Sequence, residues 1–505
     1  MAGDEAEAEP TGTEAPLRSA ATFAFLGSGC LLVLEIVAGR LVAPTLGVSL
    51  YTWTSIIGVV IGGVSLGNYL GGRLADRWPT RSTLSLVYLA AVAASLIMLG
   101  LVHSITSLEL PSSAPAFLQV LWLTTVLFFV PSTILGAPTP VLSRMSLQSV
   151  DHTGRVVGRI QAAASLGSVV GAFLTGFLLI PVVGVRLIVV GVAAVLFALA
   201  LVAHPWWRRR RAYELGSLAA VIVTAGALSV GSHGGCVKES AYYCIKVLES
   251  TDHTQRELIL DHLVDSQVNL ADPSVPVYEY EKLYAQVIDF NFPHDLPLDA
   301  FQIGGGGYTF PRYLDKNFQA STLVAEIDPG VTDVARTYLR FRDTLGIEIV
   351  HDDARRVLRS LPSSRTFDLV LGDAFNDYEV PYQLTTREFH RLVAAHLKPG
   401  GLYLLNVIDG VNFDFLRSEI RTLRQTFPYV ALVAVPGTLP PGNHDRSTFV
   451  VVAGKRAPRG LEPTIPASTL SEFMAYGDSV VLTDDHAPVD QLLAPVFSQA
   501  LTTGR

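Results

Sequence analysis

The stretch FQIGGGGYTFPRYL, residues 301–314, places a short apolar segment before four consecutive glycines and a run with helical spacing. It reads as a strand, a tight loop and a helix. Glycines 304–307 stand at the strand's end, where missing side chains let backbone approach a ligand and let φ turn positive. The same alternation continues downstream. "DAFQIGG" is followed by a helix near 308–317, "STLVAEID" by one at 330–341, "IEIVHD" by one at 354–361, and "FDLVLGD" by one at 385–397, before "GLYLLNV". Such alternation predicts a parallel sheet with helices on both faces and a ligand site beyond the carboxyl ends of its strands. Glu326 ends the second strand 22 residues after Gly304, the spacing at which an acid accepts hydrogen bonds from ribose hydroxyls. Asp353 ends the third strand and Asp373 the fourth. Together these strand ends describe a nucleoside site. Taken singly, a glycine run is also an ordinary loop, and a strand-end aspartate also caps the next helix.

The chain around this unit is not that of an ordinary soluble enzyme. Half of its 505 residues are hydrophobic, 16% are charged, and the mean hydropathy is +0.39. Apolar runs long enough to cross hydrocarbon recur at 19–43, 51–72, 82–104, 116–142, 156–181, 183–204 and 213–232, predicting seven transmembrane helices. "IIGVVIGGVSLGNYLGG" and "AAASLGSVVGAFLTG" are rich in small residues that permit close helix contact. Residues 1–18 form an acidic tail expected to be disordered, without the basic start of a signal peptide.

Charge is unevenly divided. Residues 1–232 hold 13 arginines and no lysine against 10 acidic residues, and 233–505 hold 24 basic and 35 acidic residues, so the halves carry about +3 and −11. Arg73, Arg77 and Arg81 follow the second run, Arg144, Arg155 and Arg159 flank the loop after the fourth, and Arg208–Arg211 follow the sixth. Basic residues near span ends stay cytoplasmic. Seven spans then place the N-terminus inside and the C-terminal domain outside, in a multi-pass plasma-membrane protein. Three cysteines, at 30, 236 and 244, are too few for a disulfide scaffold and lack zinc spacing, so no metal site is expected. Cys236 and Cys244 are either core thiols or, in an oxidising compartment, a disulfide.

Past "SVGSHGGCVKES" the long apolar runs give way to short alternating ones, which sets the domain boundary near 233. "YYCIKVLES" and "RELILDHLV" read as two strands of a small β-subdomain that, with a linking helix, spans 233–295.

"FQIGGGGYTFPRYL", "STLVAEIDPGVTDVARTYL", "IEIVHDDARRVL", "FDLVLGDAFNDYEVPYQLTTREFHRLVAAHLKPGGLYLLNV" and "VLTDDHAPVD" resemble the successive motifs of spermidine synthases. With "YTWTSIIGVVIGG" and "LGGRLADR", nearly the whole chain resembles their membrane-fused form, the fused major-facilitator/spermidine synthase proteins. "GGRLADR" alone resembles a transporter loop, but seven helices are too few for that fold. The resemblance implies a methyltransferase-like Rossmann domain over 296–505. It implies decarboxylated S-adenosylmethionine, or a methylthioadenosine-like nucleoside, held by Gly304, Gly305 and Gly306, with Glu326 on the ribose, Asp353 and Ala354 on adenine, and Pro381 lining the pocket. It makes Asp373 the base that deprotonates a small-molecule amine such as putrescine, and places Asn376 and Asp377 at the amine. Membrane lipid and a homodimer or membrane-protein partner are the other associations implied; nucleic acid is not.

The sequence also departs from the family. Gly307 and Tyr308 stand where the family's loop continues Asp-Gly, Asn376 replaces its second acid, and Tyr243 aligns with an early glutamine. The missing loop acid predicts slow aminopropyl transfer, raised by Gly307→Asp. It also motivates two further readings: a differently specific enzyme of this fold, and a non-catalytic extracytoplasmic sensor or partner in envelope assembly.

Overall fold

The computed structural model describes residues 17–46, 50–105, 116–147, 153–203, 235–261, 263–374, 380–434, 445–459 and 465–503. Six stretches in the first half are helical, long and apolar enough to cross a membrane: Ser19–Ala43, Leu50–Arg77, Arg81–Val102, Phe117–Met145, Thr153–Leu179 and Val185–Ala203. The seventh expected span, 213–232, lies outside the described residues, as does the acidic tail through residue 16. The fourth span is not the single helix its apolar run suggests. It breaks at Ala137 and resumes at Pro138, because proline cannot donate to the preceding turn. Gly184, at φ +82°, separates the fifth and sixth spans.

The small-residue stripes mark real approaches. A Cβ on Gly67 would lie 2.0 Å from the Thr133 carbonyl oxygen, and one on Gly167 would lie 1.9 Å from that of Phe25. Only a hydrogen side chain permits backbones this close.

The second half carries two sheets. Strands β1 (Lys238–Glu239), β2 (Cys244–Glu249), β3 (Gln255–Leu260) and β4 (Leu263–Asn269) form an antiparallel sheet in sequential order. The expected hairpin is thus the middle of a four-stranded sheet. A disulfide joins Cys236 to Cys244 at its start.

The larger sheet comprises β5 (Asp299–Ile303), β6 (Ser321–Ala325), β7 (Ile347–Val350), β8 (Phe367–Gly372), β9 (Leu397–Asp409), β10 (Tyr429–Val433) and β11 (Ser447–Gly454), in the order β10-β11-β9-β8-β5-β6-β7. Pairings from β7 to β9 are parallel. The sheet is not wholly parallel as expected, since β11 runs antiparallel to both β9 and β10. Period-two alternation sends Tyr403, Leu405, Phe449 and Val451 to one buried face and Leu402, Leu404, Val450 and Val452 to the other. Burial on both faces explains why these strands read as continuous apolar runs. The chain steps outward from β5 through β6 to β7, then returns beside β5 as β8. That reversal opens a crevice at the carboxyl ends of β5 and β8.

The small sheet is anchored to the same region. Ile245, Leu258, Leu260 and Val268 pack with Tyr308, Val331, Val334 and Phe341 in one core, and Ser240 Oγ donates to Asp328 Oδ2 at 2.5 Å.

Candidate active site

The glycine loop is shaped from both sides. Gly304, at φ +87°, donates its N–H to Ala325 O at 2.9 Å, and a Cβ there would lie 2.1 Å from Asp373 O. Gly305 N donates to Glu326 Oε2 at 2.7 Å, and Gly307 N to Ser266 Oγ at 2.8 Å. Arg312 clamps the loop's exit, donating to Gly307 O at 2.6 Å and to Tyr308 O at 2.9 Å. Tyr308 takes φ +56° and is fully buried, stacked on Phe341 with its hydroxyl 2.7 Å from Thr332 Oγ1. Burying the ring offsets the roughly 1–2 kcal/mol a side chain costs in the left-handed region.

One cavity collects the strand ends. It is lined by Gly304–Gly307, Glu326, Asp353, Ala354, Asp373 and Pro381 among the residues singled out from sequence, and also by Tyr243. Asn376 and Asp377 lie outside the described residues. Asp353 also caps the helix Ala354–Ser360, accepting from Arg356 N at 3.1 Å, so the ordinary explanation of a strand-end aspartate holds there alongside its place in the cavity.

Asp373 is held at both oxygens. Tyr280 Oη donates to Oδ2 and Asn406 Nδ2 to Oδ1, each at 2.9 Å. Burial raises its pKa above the usual carboxylate range, while these two donors pull it back. Glu326 accepts from Gly305 N and, at Oε1, from Asp328 N at 2.8 Å; burial still pushes it up to about 7.

Four contributors were not legible in the sequence: Asp265 on β4, Tyr280 and Glu281 on the helix Glu279–Asn291, and Asn406 on β9. Burial pushes Asp265 up to about 7, its Ser266 hydrogen bond opposing and Asp373 and Glu326 reinforcing the rise. Burial likewise pushes Glu281 up to about 8. In all, Asp265, Glu281, Glu326, Asp352, Asp353 and Asp373 line the cavity, and among the described lining residues no lysine, arginine or histidine accompanies them. Among the described residues, no three His, Cys, Asp or Glu side chains converge to hold a metal ion.

The packing around Gly307 argues against a gain from Gly307→Asp. A Cβ at 307 would lie 2.8 Å from Val268 Cγ2 and 2.9 Å from Ser266 Cβ, so β4 fills the space an aspartate would need. This substitution is expected to lower nucleoside affinity, by about tenfold or more, by displacing β4 and the Gly307–Ser266 bond. Titration calorimetry showing equal or tighter binding would contradict this account.

No family model matches the chain. The polyamine aminopropyltransferase of Mycobacterium tuberculosis is 26% identical over 374 residues, covering 69% of this chain and 71% of that protein. The chain is similar to polyamine aminopropyltransferases. That of Pyrobaculum neutrophilum is 28% identical over 224 residues, covering 41% of this chain and 74% of its own. A "Probable polyamine aminopropyl transferase" of Bifidobacterium longum is 31% identical over 109 residues, and the match spans only 24% of its length. Among solved structures, the spermidine synthase of Thermotoga maritima aligns over 52% of this chain and 84% of its own, at 20% identity and a TM-score of 0.34. The Mycobacterium alignment is longer than the whole stretch 233–505, so it reaches into the apolar helices.

Proposed function

We propose that the chain is a membrane-anchored aminopropyltransferase that takes the aminopropyl group of decarboxylated S-adenosylmethionine and passes it to a diamine such as putrescine. The observation that carries this reading is the charge of the cavity: among the described lining residues six carboxyl side chains and no cation meet at the strand ends, and of the six Asp352 is paired, with Arg356 at 3.3 Å. A buried carboxylate cluster is costly unless a cation compensates it. A nucleoside bearing a sulfonium and an ammonium supplies two such charges.

In the proposed reaction the neutral acceptor amine attacks the methylene carbon attached to sulfur. A C–N bond forms, the C–S electron pair passes to sulfur, and methylthioadenosine leaves. The amine's proton goes to Asp373, whose carboxylate Tyr280 and Asn406 hold in place. Glu326 takes the ribose hydroxyls on lone pairs left over from Gly305 and Asp328. Asp353 and Ala354 take the adenine, and Gly304–Gly306 and Pro381 complete the walls. Positioning of donor and acceptor supplies much of the remaining rate.

The direction of pH dependence follows. Asp265, Glu281 and Glu326 have folded pKa values of about 7, 8 and 7, raised above the unfolded range. Their contribution to stability is full below the usual carboxylate range and is lost as pH rises through 7–8. A cationic ligand selects the ionised forms, so its affinity should rise from pH 6 to pH 9, with protons released on binding at pH 7. Calorimetry in two buffers of different ionisation enthalpy reads that release; none at pH 7 would contradict a cationic ligand.

We also place this domain outside the cytoplasm. The arginines at 208–211, the apolar run at 213–232 and the Cys236–Cys244 disulfide support that side. A cysteine introduced at the C-terminus should then react with an impermeant reagent in intact cells, and protection from it would reverse the placement. Calorimetric titration of the full-length protein with methylthioadenosine tests the nucleoside site itself, and absence of binding at millimolar ligand would overturn the functional reading.

A further inference from the structure

Resting on that reading of the cavity, we propose that Asp265, on strand β4 of the small sheet, grips the terminal ammonium of the donor, a task for which the glycine loop offers no acid. A Cβ on Gly306 would lie 2.7 Å from Asp265 Oδ2 and 2.6 Å from Ser266 Oγ, so this carboxylate lies against the loop itself. Its hydrogen bond is to the Ser266 hydroxyl, at 2.6 Å from Oδ2, and Ser266 in turn accepts from Gly307 N at 2.8 Å. Gly307 thus has a role that an aspartate there could not share: it lets β4 approach closely enough to bring Asp265 in.

Two further groups in the same lining point to a ligand with several N–H donors. Gln302 Oε1 and Thr309 Oγ1 are buried acceptors without hydrogen-bond partners, in residues only 4% and 2% exposed. Folded proteins rarely leave such atoms unpaired. Glu281 stands in the lining as well, its Oε2 accepting from Val277 N at 3.1 Å and Tyr278 N at 3.3 Å. A primary ammonium brings one full charge and three donors to this set. The division of labour is then between sheets: the large sheet holds the nucleoside and the base, and the small sheet holds the cationic tail.

The test uses the full-length protein and two probes that differ in the tail, decarboxylated S-adenosylmethionine and methylthioadenosine, titrated calorimetrically. Asp265→Asn is expected to weaken the first by about 10–100-fold, the scale of a charged hydrogen bond, and the second by less than about twofold. Asp265→Glu, which keeps the charge, should recover most of the loss. Equal losses for both probes, no loss, or no recovery in the glutamate variant overturns the assignment. Wild-type protein that binds methylthioadenosine but not the decarboxylated donor more tightly overturns the assignment alone, and wild-type protein that binds neither overturns the underlying reading with it.

Discussion

Asp373→Asn is expected to lower turnover by about 10²–10⁴-fold and to leave methylthioadenosine affinity unchanged. The substitution keeps the shape of the side chain and removes its basicity. It also exchanges one acceptor oxygen for an NH₂ group facing a donor, either Tyr280 Oη or Asn406 Nδ2. The site can absorb that exchange. Asn406 Oδ1 is buried without a hydrogen-bond partner, so turning the Asn406 amide presents an acceptor to the new NH₂. The loss should therefore appear in chemistry and not in folding or nucleoside binding. A variant that keeps wild-type turnover would remove Asp373 as the base. One that loses nucleoside affinity in parallel would make it a structural residue.

Gly304→Ala is expected to cost about 2–5 kcal/mol and to abolish nucleoside binding. At φ +87° an alanine is strained wherever it sits, and here its Cβ would lie 2.1 Å from Asp373 O, a backbone atom that cannot turn aside. The two strand ends that frame the crevice would have to separate, carrying Asp373 away from the loop. Melting of the full-length protein should fall by several degrees or more. Gly400→Ala, whose nearest neighbour would be Arg456 Nη1 at 3.9 Å, is the matched control and should be nearly silent. Equal behaviour of the two variants would contradict the close approach of β5 and β8.

The parts of the site that the sequence displayed are those carried by the parallel sheet. Gly304, Glu326 and Asp373 each directly follow a strand whose apolar run is unmistakable, Asp353 stands three residues beyond another, and parallel strands bring their ends to one edge whatever lies between. Asp265 was hidden for the opposite reason. Its strand reads L-V-D-S-Q-V-N, with three adjacent polar residues where alternation should show, because Ser266 points inward to meet Gly307 N. Glu281 resembles an ordinary first-turn acid, and it does accept from backbone N–H groups at the helix start as such residues do. Asn406 and Tyr280 lie 33 and 93 residues from Asp373, a separation over which local pattern carries no information. Gly307 shows the cost of reading a loop without its cover. Against the loop of the family it resembles it is a missing aspartate, yet in three dimensions it is the clearance for β4.

Group transfer between a sulfonium donor and an amine leaves two products that can be counted. The decisive assay incubates the purified full-length protein with decarboxylated S-adenosylmethionine and putrescine and follows both products by mass spectrometry. Methylthioadenosine and the aminopropylated amine are expected in equal amounts, from wild type and not from Asp373→Asn. Bound donor with neither product formed, with putrescine or with any other amine offered, would contradict that transfer.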